Sequence, residues 1–510
     1  MSMEWLGSSD LSDPDIVWHG RFDVENRASW IRRLTTYGSS HSNDEKKPLS
    51  VDWDGPSDPT NPKNWSNARR WSQICILGLI VLQTPLASSI FSPALDQIMS
   101  DFNIKSPVLV DLSLSAYVLG FAIGPLVVAP LSEVYGRLYI YHTCNILFVI
   151  NNVACATSPT IWVLVLFRFL SGCAGSCPLT LGGGTIADVM EPEKRGRAMS
   201  VVAFGSVGGP ILGPVFGGII AERVGWRWVF GMLVCFGALT TATALVFMRE
   251  TYAPRILELK AKRKARLTGD PGTVCTSLSN ATLSERLRRA ATRPLRLLLL
   301  SPIVLTLSLL SAITYGLQIL LYISLPSVYK SRYGFTTTQS GLAFLGIGTG
   351  MVIGLLAFGI ISDKVLVILA KQNGGEKKPE YRLPVMLWGS LLLPVGLLGF
   401  GWGAERGVSW GVPMVGNVVA GVGIYSVSIP VQMYLVDWAP QYAATMSAST
   451  SILRSLVGAF LPLSKDGLTT SLGLGWGITV LAGISLATWP ATFILYTRGE
   501  RIRDRFLIEM

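Results

Sequence analysis

The chain has 510 residues, of which 50% are hydrophobic and 15% charged, and its formal net charge is +11. A soluble protein carries about 25% charged residues, and the mean hydropathy of +0.44 excludes a water-soluble enzyme of ordinary composition. The positive excess gathers in alternate connections between apolar stretches, which makes it a topological signal and argues against a nucleic-acid partner.

Residues 1–70 are polar and rich in Ser, Asp, Asn and Pro, and are predicted to be a disordered cytoplasmic tail. No signal-peptide pattern stands in them, so the first apolar stretch is expected to direct insertion. Twelve apolar stretches follow, at 71–95, 109–131, 139–157, 160–187, 198–220, 227–248, 298–325, 339–362, 383–402, 410–436, 442–464 and 474–497. A helix crosses the hydrocarbon layer with ~20 mainly apolar residues. Backbone amides in lipid must be bonded within their own segment, so each stretch is predicted to be helical.

The fold class is therefore an all-α polytopic membrane protein, with twelve transmembrane helices in two pseudo-symmetric six-helix bundles. The predicted domains are the tail 1–70, an N-terminal bundle 71–248, a basic central loop 249–297, a C-terminal bundle 298–497 and a short tail 498–510. Residues 255–266 are predicted to form an amphipathic helix within the loop. Lys and Arg crowd this loop, the connections near 190–197 and 363–382, and the C-terminal tail. Positive charge stays on the cytoplasmic side, so both termini and the loop are expected there.

The connection after the second stretch reads Ala129-Pro130-Leu131-Ser132-Glu133-Val134-Tyr135-Gly136-Arg137. A Gly turn joins two closely linked helices here. Glu133 is the candidate to face the positive end of another helix, at the start of the eleventh stretch. Arg137 can pair with it or with a lipid phosphate. The matching place in the second half reads Gly359-Ile360-Ile361-Ser362-Asp363-Lys364.

The fourth stretch carries Arg168, in Leu-Val-Leu-Phe-Arg-Phe-Leu-Ser-Gly. A cation near the bilayer centre costs about 2.5–3.5 kcal/mol on insertion scales, so Arg168 must face the interior. Two readings stay open: it tunes a neighbouring carboxylate, or it is structural and bonds to helix carbonyls. Arg454, mid-way along the eleventh stretch, is the second deep cation. The fifth stretch holds Gly205, Gly209, Pro210, Gly213, Pro214, Gly217 and Gly218. Pro removes a helix hydrogen bond, and Gly at this spacing lets another helix approach closely.

These motifs resemble signatures of the major facilitator superfamily: the loop signature at Glu133, Gly136 and Arg137, repeated at Gly359 and Asp363, the Arg168 signature, and the Gly-Pro run of antiporters. Asp52–Ser66, Glu250–Leu257, Ile452–Ser455 and Leu472–Gly477 narrow the resemblance to the fungal twelve-span drug:proton antiporter family. It implies the major facilitator fold and secondary transport by alternating access between two rocking bundles. The expected partners are a small-molecule substrate, protons and the lipid bilayer, with a monomeric protein in the plasma membrane. The alternative on the same fold is proton-coupled import of a nutrient. No cofactor, metal or catalytic cluster is expected: Cys173 and Cys177 share a helix face, but no His or carboxylate joins them.

A substrate cavity needs apolar and aromatic walls with a few polar groups. Gln83 and Tyr117 are its candidates in the first half, and Tyr315, Gln318, Tyr322, Asn417, Tyr425 and Gln432 in the second. No Asp or Glu sits mid-way along a stretch. Asp188 and Asp437, at the inner ends of the fourth and tenth, occupy equivalent positions in the two halves. With Arg168 and Arg454 they are the candidates for proton coupling.

Overall fold

The structure is a computed structural model and describes residues 52–505, apart from 56, 105, 192–193, 269–282 and 439–442. The predicted tail residues 1–51 and 506–510 lie outside the described residues. The described residues are helical, without a β-strand.

The first six spans are Asn67–Ser89, Pro107–Tyr135, Arg137–Ala156, Ile161–Gly175 continuing as Cys177–Val189, Arg195–Arg223 and Trp226–Phe247. The next four are Pro302–Tyr333, Phe344–Gln372, Leu383–Gly389 continuing as Leu392–Glu405, and Gly411–Trp438. Among the described residues, eleven apolar helical stretches are long enough to cross a bilayer, and the last of them, Thr445–Arg503, runs for 59 residues. At 1.5 Å per residue that is about three bilayer thicknesses. The helix breaks inside it at Gly473 (φ 79°, ψ 169°), so the stretch holds spans 11 and 12.

Several boundaries differ from the sequence reading. Span 7 begins at Pro302 rather than 298: Leu298 and its neighbours belong to a preceding helix, Leu283–Leu300. Ser301 separates the two by capping the Val304 amide, and Pro302 needs no acceptor. The same span runs past Pro326 to a left-handed Gly334 (φ 67°). Span 8 also continues beyond 362 to Gln372, so Gly359 and Asp363 lie inside a helix instead of in a turn.

The predicted disorder of residues 1–70 does not extend to 52–66. Asp58 is a built knot there: its carboxylate accepts from the Thr60 amide (2.8 Å), the Thr60 hydroxyl (2.6 Å) and the Asp54 amide (2.9 Å). The helix Ala253–Thr268, which contains the predicted 255–266 segment, supplies Lys260, whose ammonium reaches Asp58 at 2.8 Å and Asp54 at 2.7 Å. Arg70 fastens the segment below, donating to the Trp65 carbonyl and to Glu191, each at 2.9 Å. The chain before span 1 is thus clasped to the central loop.

Lys260, followed by the Thr60 and Asp54 hydrogen bonds, holds the Asp58 carboxyl well below the usual carboxylate range. A depressed folded-state value means that the clasp is fully present above pH ~4 and is lost only at stronger acid. Limited proteolysis of Asp58→Asn is therefore expected to cleave 52–65 roughly fivefold faster, charged hydrogen bonds being the strong ones. That ratio should hold from pH 5 to 8; equal cleavage of the two proteins would mean that no clasp exists.

Spans 1 and 5 touch along the glycine face. A Cβ at Gly205 would stand 2.7 Å from the Gly78 carbonyl oxygen, at Gly209 2.6 Å from the Leu86 nitrogen, and at Gly213 2.7 Å from the Ser89 hydroxyl. Gly217 lies against the Ile90 carbonyl, and Gly218 turns to the short helix Thr337–Leu342 that precedes span 8, where its Cβ would stand 2.7 Å from the Thr337 carbonyl oxygen. Only glycine admits backbones this close. Pro210 and Pro214 are buried in the same helix, which stays continuous from Arg195 to Arg223.

The two bundles meet where span 2 packs on span 11 and span 5 packs on span 8. At the end remote from the basic connections, polar contacts cross this seam. Lys330 reaches Asp96 and the Pro93 carbonyl, each at 2.9 Å. The Thr338 amide donates to Glu222 at 2.6 Å, Ser92 donates to the Tyr322 carbonyl, and Lys465 pairs with Asp111 at 3.4 Å. The molecule is closed at that end.

Candidate functional site at the seam of the bundles

Arg168 is fully buried. Span 1 ends at Ser89 and the next helical turn starts at Ser92-Pro93, so carbonyls of the last turn lack their helical partners. Arg168 Nη1 donates to one of them, Ala87, at 2.9 Å, and its Nε donates to the Ser113 carbonyl of span 2 at 3.4 Å. The guanidinium lies 4.2 Å from the Tyr117 ring centroid, 4.4 Å from Phe91 and 5.8 Å from Phe230. Nη2 has no hydrogen-bond partner. The carbonyl-bonded alternative of the sequence reading therefore describes this conformation, and the helix C-terminus and aromatic faces together hold the charge.

Arg454 is less enclosed. Its guanidinium lies 4.9 Å from the Tyr315 ring, and Nε has no hydrogen-bond partner. No carboxylate pairs with either arginine among the described residues. Tyr315 is within electrostatic reach of Tyr117, and Tyr425 is within reach of Arg454. A Cβ on Gly458 would stand 2.7 Å from Tyr315 and 3.3 Å from Val118. Two arginine–tyrosine stacks, one from each bundle, thus converge on the seam.

The other cavity candidates are placed differently. Gln83 accepts from the Thr240 hydroxyl at 2.6 Å and is spent on packing between spans 1 and 6. Gln318 donates to the Tyr322 hydroxyl at 2.6 Å, which in turn meets Met351 Sδ at 3.6 Å; both are buried between spans 7 and 8. Asn417 is buried against Gly346 of span 8, while Gln432 is exposed. The sequence reading grouped these residues as one cavity lining; the structure brings only Tyr117, Tyr315 and Tyr425 to the two arginines.

The gating candidates form two charge clusters. Gly136 turns the chain with φ 91°, and a Cβ there would run into Glu250. Arg137 pairs with Asp188 at 2.5 Å. Glu133 is exposed and forms no ion pair among the described residues. Glu250 is seated on the N-terminus of span 3, accepting from the Arg137 and Leu138 amides, each at 3.1 Å. Glu250 comes from the end of span 6, where it also accepts from the Thr251 and Tyr252 amides at 3.0 and 2.9 Å; the start of the eleventh stretch at 442, which Glu133 was expected to face, lies outside the described residues.

In the second bundle Arg382 joins Asp363 and, at 2.8 Å, Asp437. Asp188 and Asp437 are thus equivalent in structure as in sequence, each bound to an arginine that opens the preceding span. Glu250, Arg382 and the Asp111–Lys465 pair were not assigned roles from the sequence. Arg382 was findable by aligning it with Arg137 across the internal repeat; Glu250 stands far from its partners in the chain and gave no such signal.

An apolar cleft of about 350 Å³ opens along the seam where spans 2 and 4 meet span 11, with Leu112, Trp162, Phe169, Phe460 and Leu463 among its lining. It contains neither arginine.

The profile of the Major Facilitator Superfamily matches residues 77–462. The chain belongs to the major facilitator superfamily. Among curated relatives, the "MFS-type transporter penM" of Penicillium rubens is 44% identical over 458 residues, covering 90% of each chain. The "MFS transporter fsa7" of a Fusarium species is 42% identical over 464 residues, 91% of each. The "Efflux pump radE" of Floropilus chiversii is 40% identical over 504 residues, 96% of this chain and 94% of its own. Among solved structures, the xylose transporter XylE of E. coli, in a partially occluded inward-open conformation, matches with a TM-score of 0.64 at 15% identity. That match covers 84% of this chain and 98% of the xylose transporter. This facilitator-superfamily chain is a multi-pass membrane transporter and not an enzyme.

Proposed function

We propose that this transporter exports amphiphilic organic molecules in exchange for protons, by alternating access between its two bundles. The observation that carries the reading is the pair of arginine–tyrosine stacks at the seam. Cations with no carboxylate partner, set among aromatic rings, favour a guest with an apolar or aromatic body and acidic, phenolic or carbonyl oxygens. Kinship with a protein named an efflux pump supports the outward direction. The basic connections support cytoplasmic termini, and the plasma membrane is the proposed site of a monomer.

The energetics are adequate. A potential of 100 mV supplies about 2.3 kcal/mol per charge and one pH unit about 1.36 kcal/mol. One proton then sustains roughly a 500-fold gradient of a neutral solute. The test is efflux from host cells loaded with lipophilic dyes, toxins and aromatic acids, with and without the protein. Protein-dependent loss that stops on adding a protonophore is expected. Proton-driven uptake of a nutrient, with no efflux of any compound, would replace export by import.

A further inference from the structure

The helix Leu283–Leu300 runs up to Ser301 and Pro302, where span 7 begins, so its last turn stands at the edge of the bilayer. Its inner face is fixed to both bundles. Pro294, Leu297 and Leu298 are buried, and the Ser449 hydroxyl of span 11 donates to the Pro294 carbonyl at 2.8 Å. The helix packs on span 2 of the first bundle and on spans 7 and 11 of the second. It is a held platform within the basic central connection.

The outer face is open, and its chemistry is graded along the axis. Leu295, Leu299 and Leu300 are 42%, 75% and 58% exposed, and Arg288, Arg293 and Arg296 are exposed as well. None of these arginines forms an ion pair among the described residues. Arg293, Arg296 and Leu300 stand at i, i+3 and i+7, one stripe of a helix. Arg288, Leu295 and Leu299, at i, i+7 and i+11, make a neighbouring stripe. In both, arginine lies on the side away from span 7 and leucine on the side toward it. Arg296 and Arg293 stand no more than about 6 Å and about 10 Å beyond Leu300 along the axis, a distance comparable with the headgroup layer of one leaflet. In water the three leucines would face solvent. At a leaflet they meet acyl chains while the guanidinium groups meet phosphates.

We propose that this outer face is a binding site for an anionic phospholipid of the cytoplasmic leaflet, with Arg293 and Arg296 on the headgroup and Leu300 on an acyl chain. Guanidinium forks bond phosphate oxygens in pairs. An anionic headgroup leaves net charge for both arginines, whereas the ammonium of a choline headgroup cancels it. Arg288 adds attraction from the neighbouring stripe. Anionic lipids are concentrated in the cytoplasmic leaflet, the side on which the basic connections place this helix. A soluble phosphate would use the arginines and leave the leucines uncovered. The site stands whether the chain exports or imports.

The test uses the purified full chain in neutral detergent, titrated with phosphatidylserine, phosphatidylcholine or the soluble headgroup glycerophosphoserine, with bound molecules counted by native mass spectrometry. Phosphatidylserine is expected to bind roughly tenfold or more tightly than phosphatidylcholine, and glycerophosphoserine far more weakly than either lipid. Arg293→Gln combined with Arg296→Gln is expected to weaken phosphatidylserine roughly tenfold or more, two basic residues being lost from an anionic contact. Both side chains are exposed, so this variant is expected to melt like the parent without lipid. Arg498→Gln combined with Arg501→Gln removes the same charge from the exposed end of span 12 and is expected to leave phosphatidylserine binding unchanged.

Equal binding of the two lipids by the parent chain overturns the proposal without recourse to any variant. Equal loss in the two double variants also overturns it, since attraction would then follow total charge and not this helix. Glycerophosphoserine bound as tightly as phosphatidylserine would make the arginines a soluble-phosphate site and overturn the lipid.

Discussion

Arg168→Ala is expected to abolish export, to below roughly a hundredth of the parent rate, in protein that still reaches the membrane. The guanidinium bridges three spans: it bonds carbonyls of spans 1 and 2 and lies against rings of spans 1, 2 and 6. Truncation leaves the Ala87 carbonyl without a partner, at about 1–3 kcal/mol for a buried group, and removes cation–π contacts worth up to about 2 kcal/mol each when desolvated. The Tyr117 ring then loses the cation that fixes it at the seam opposite Tyr315. Arg168→Lys keeps a charge but cannot bond two carbonyls with one planar fork, so a reduction of roughly tenfold is expected. Efflux per surface-labelled molecule is the measurement. Parent-like export by the Ala variant would take Arg168 out of the transport cycle; loss of surface protein would make it a determinant of folding alone.

Gly209→Leu carries the second large effect, with transport expected to vanish. Its Cβ would stand 2.6 Å from the Leu86 nitrogen and 2.9 Å from Pro85 Cβ, both held by the fold of span 1. The added isobutyl group forces spans 1 and 5 apart, and overpacking of this kind costs about 1–3 kcal/mol or more. Span 5 also contacts the other bundle, through Gly218 against the helix Thr337–Leu342 and through Ile211 against Gly348 of span 8. A displaced span 5 therefore disturbs the seam itself. Gly359→Leu is the matched control. Gly359 was drawn from a resembling signature, but nothing lies within 4 Å of its Cβ position, so near-parent transport is expected. Efflux assays of both variants, normalised to membrane protein, check the pair; equal loss in the two would mean that glycine matters here for a reason other than helix approach.

The contrast between Gly209 and Gly359 shows how far residue patterns reach. Both sit in Gly-containing signatures, Gly209 expected to admit a neighbouring helix and Gly359 expected at a connection between helices. A pattern records which residue is present, whereas the space around it depends on what another helix brings. The same holds for Gln83 and Tyr117, two polar candidates of the first bundle. Gln83 meets Thr240 and serves packing, while Tyr117 meets Arg168 and serves the seam. Helical periodicity gives both a buried address without saying which neighbour waits there. Residues 52–66 fail differently. Their composition reads as disordered because few apolar groups are present, but the Asp58 knot orders them through charge and hydrogen bonds, drawing on a lysine some two hundred residues away.

By itself the sequence determined the membrane class, the helical fold and the kinship with facilitator-type transporters. Those follow from local properties: apolar length sufficient to cross lipid, backbone amides that must be bonded within their own segment, and motifs contiguous in the chain. It also determined that Arg168 and Arg454 lie deep, because a charge within an apolar stretch has nowhere else to go. Only the tertiary structure decided what those charges meet. It put Glu250 on the helix N-terminus after Gly136, joined Arg382 to Asp437, and set Lys465 of one bundle on Asp111 of the other. Each of these is a pairing between residues distant in the chain. Such pairings depend on how whole helices pack, and helix packing is decided by shape across the bundle rather than by any one segment.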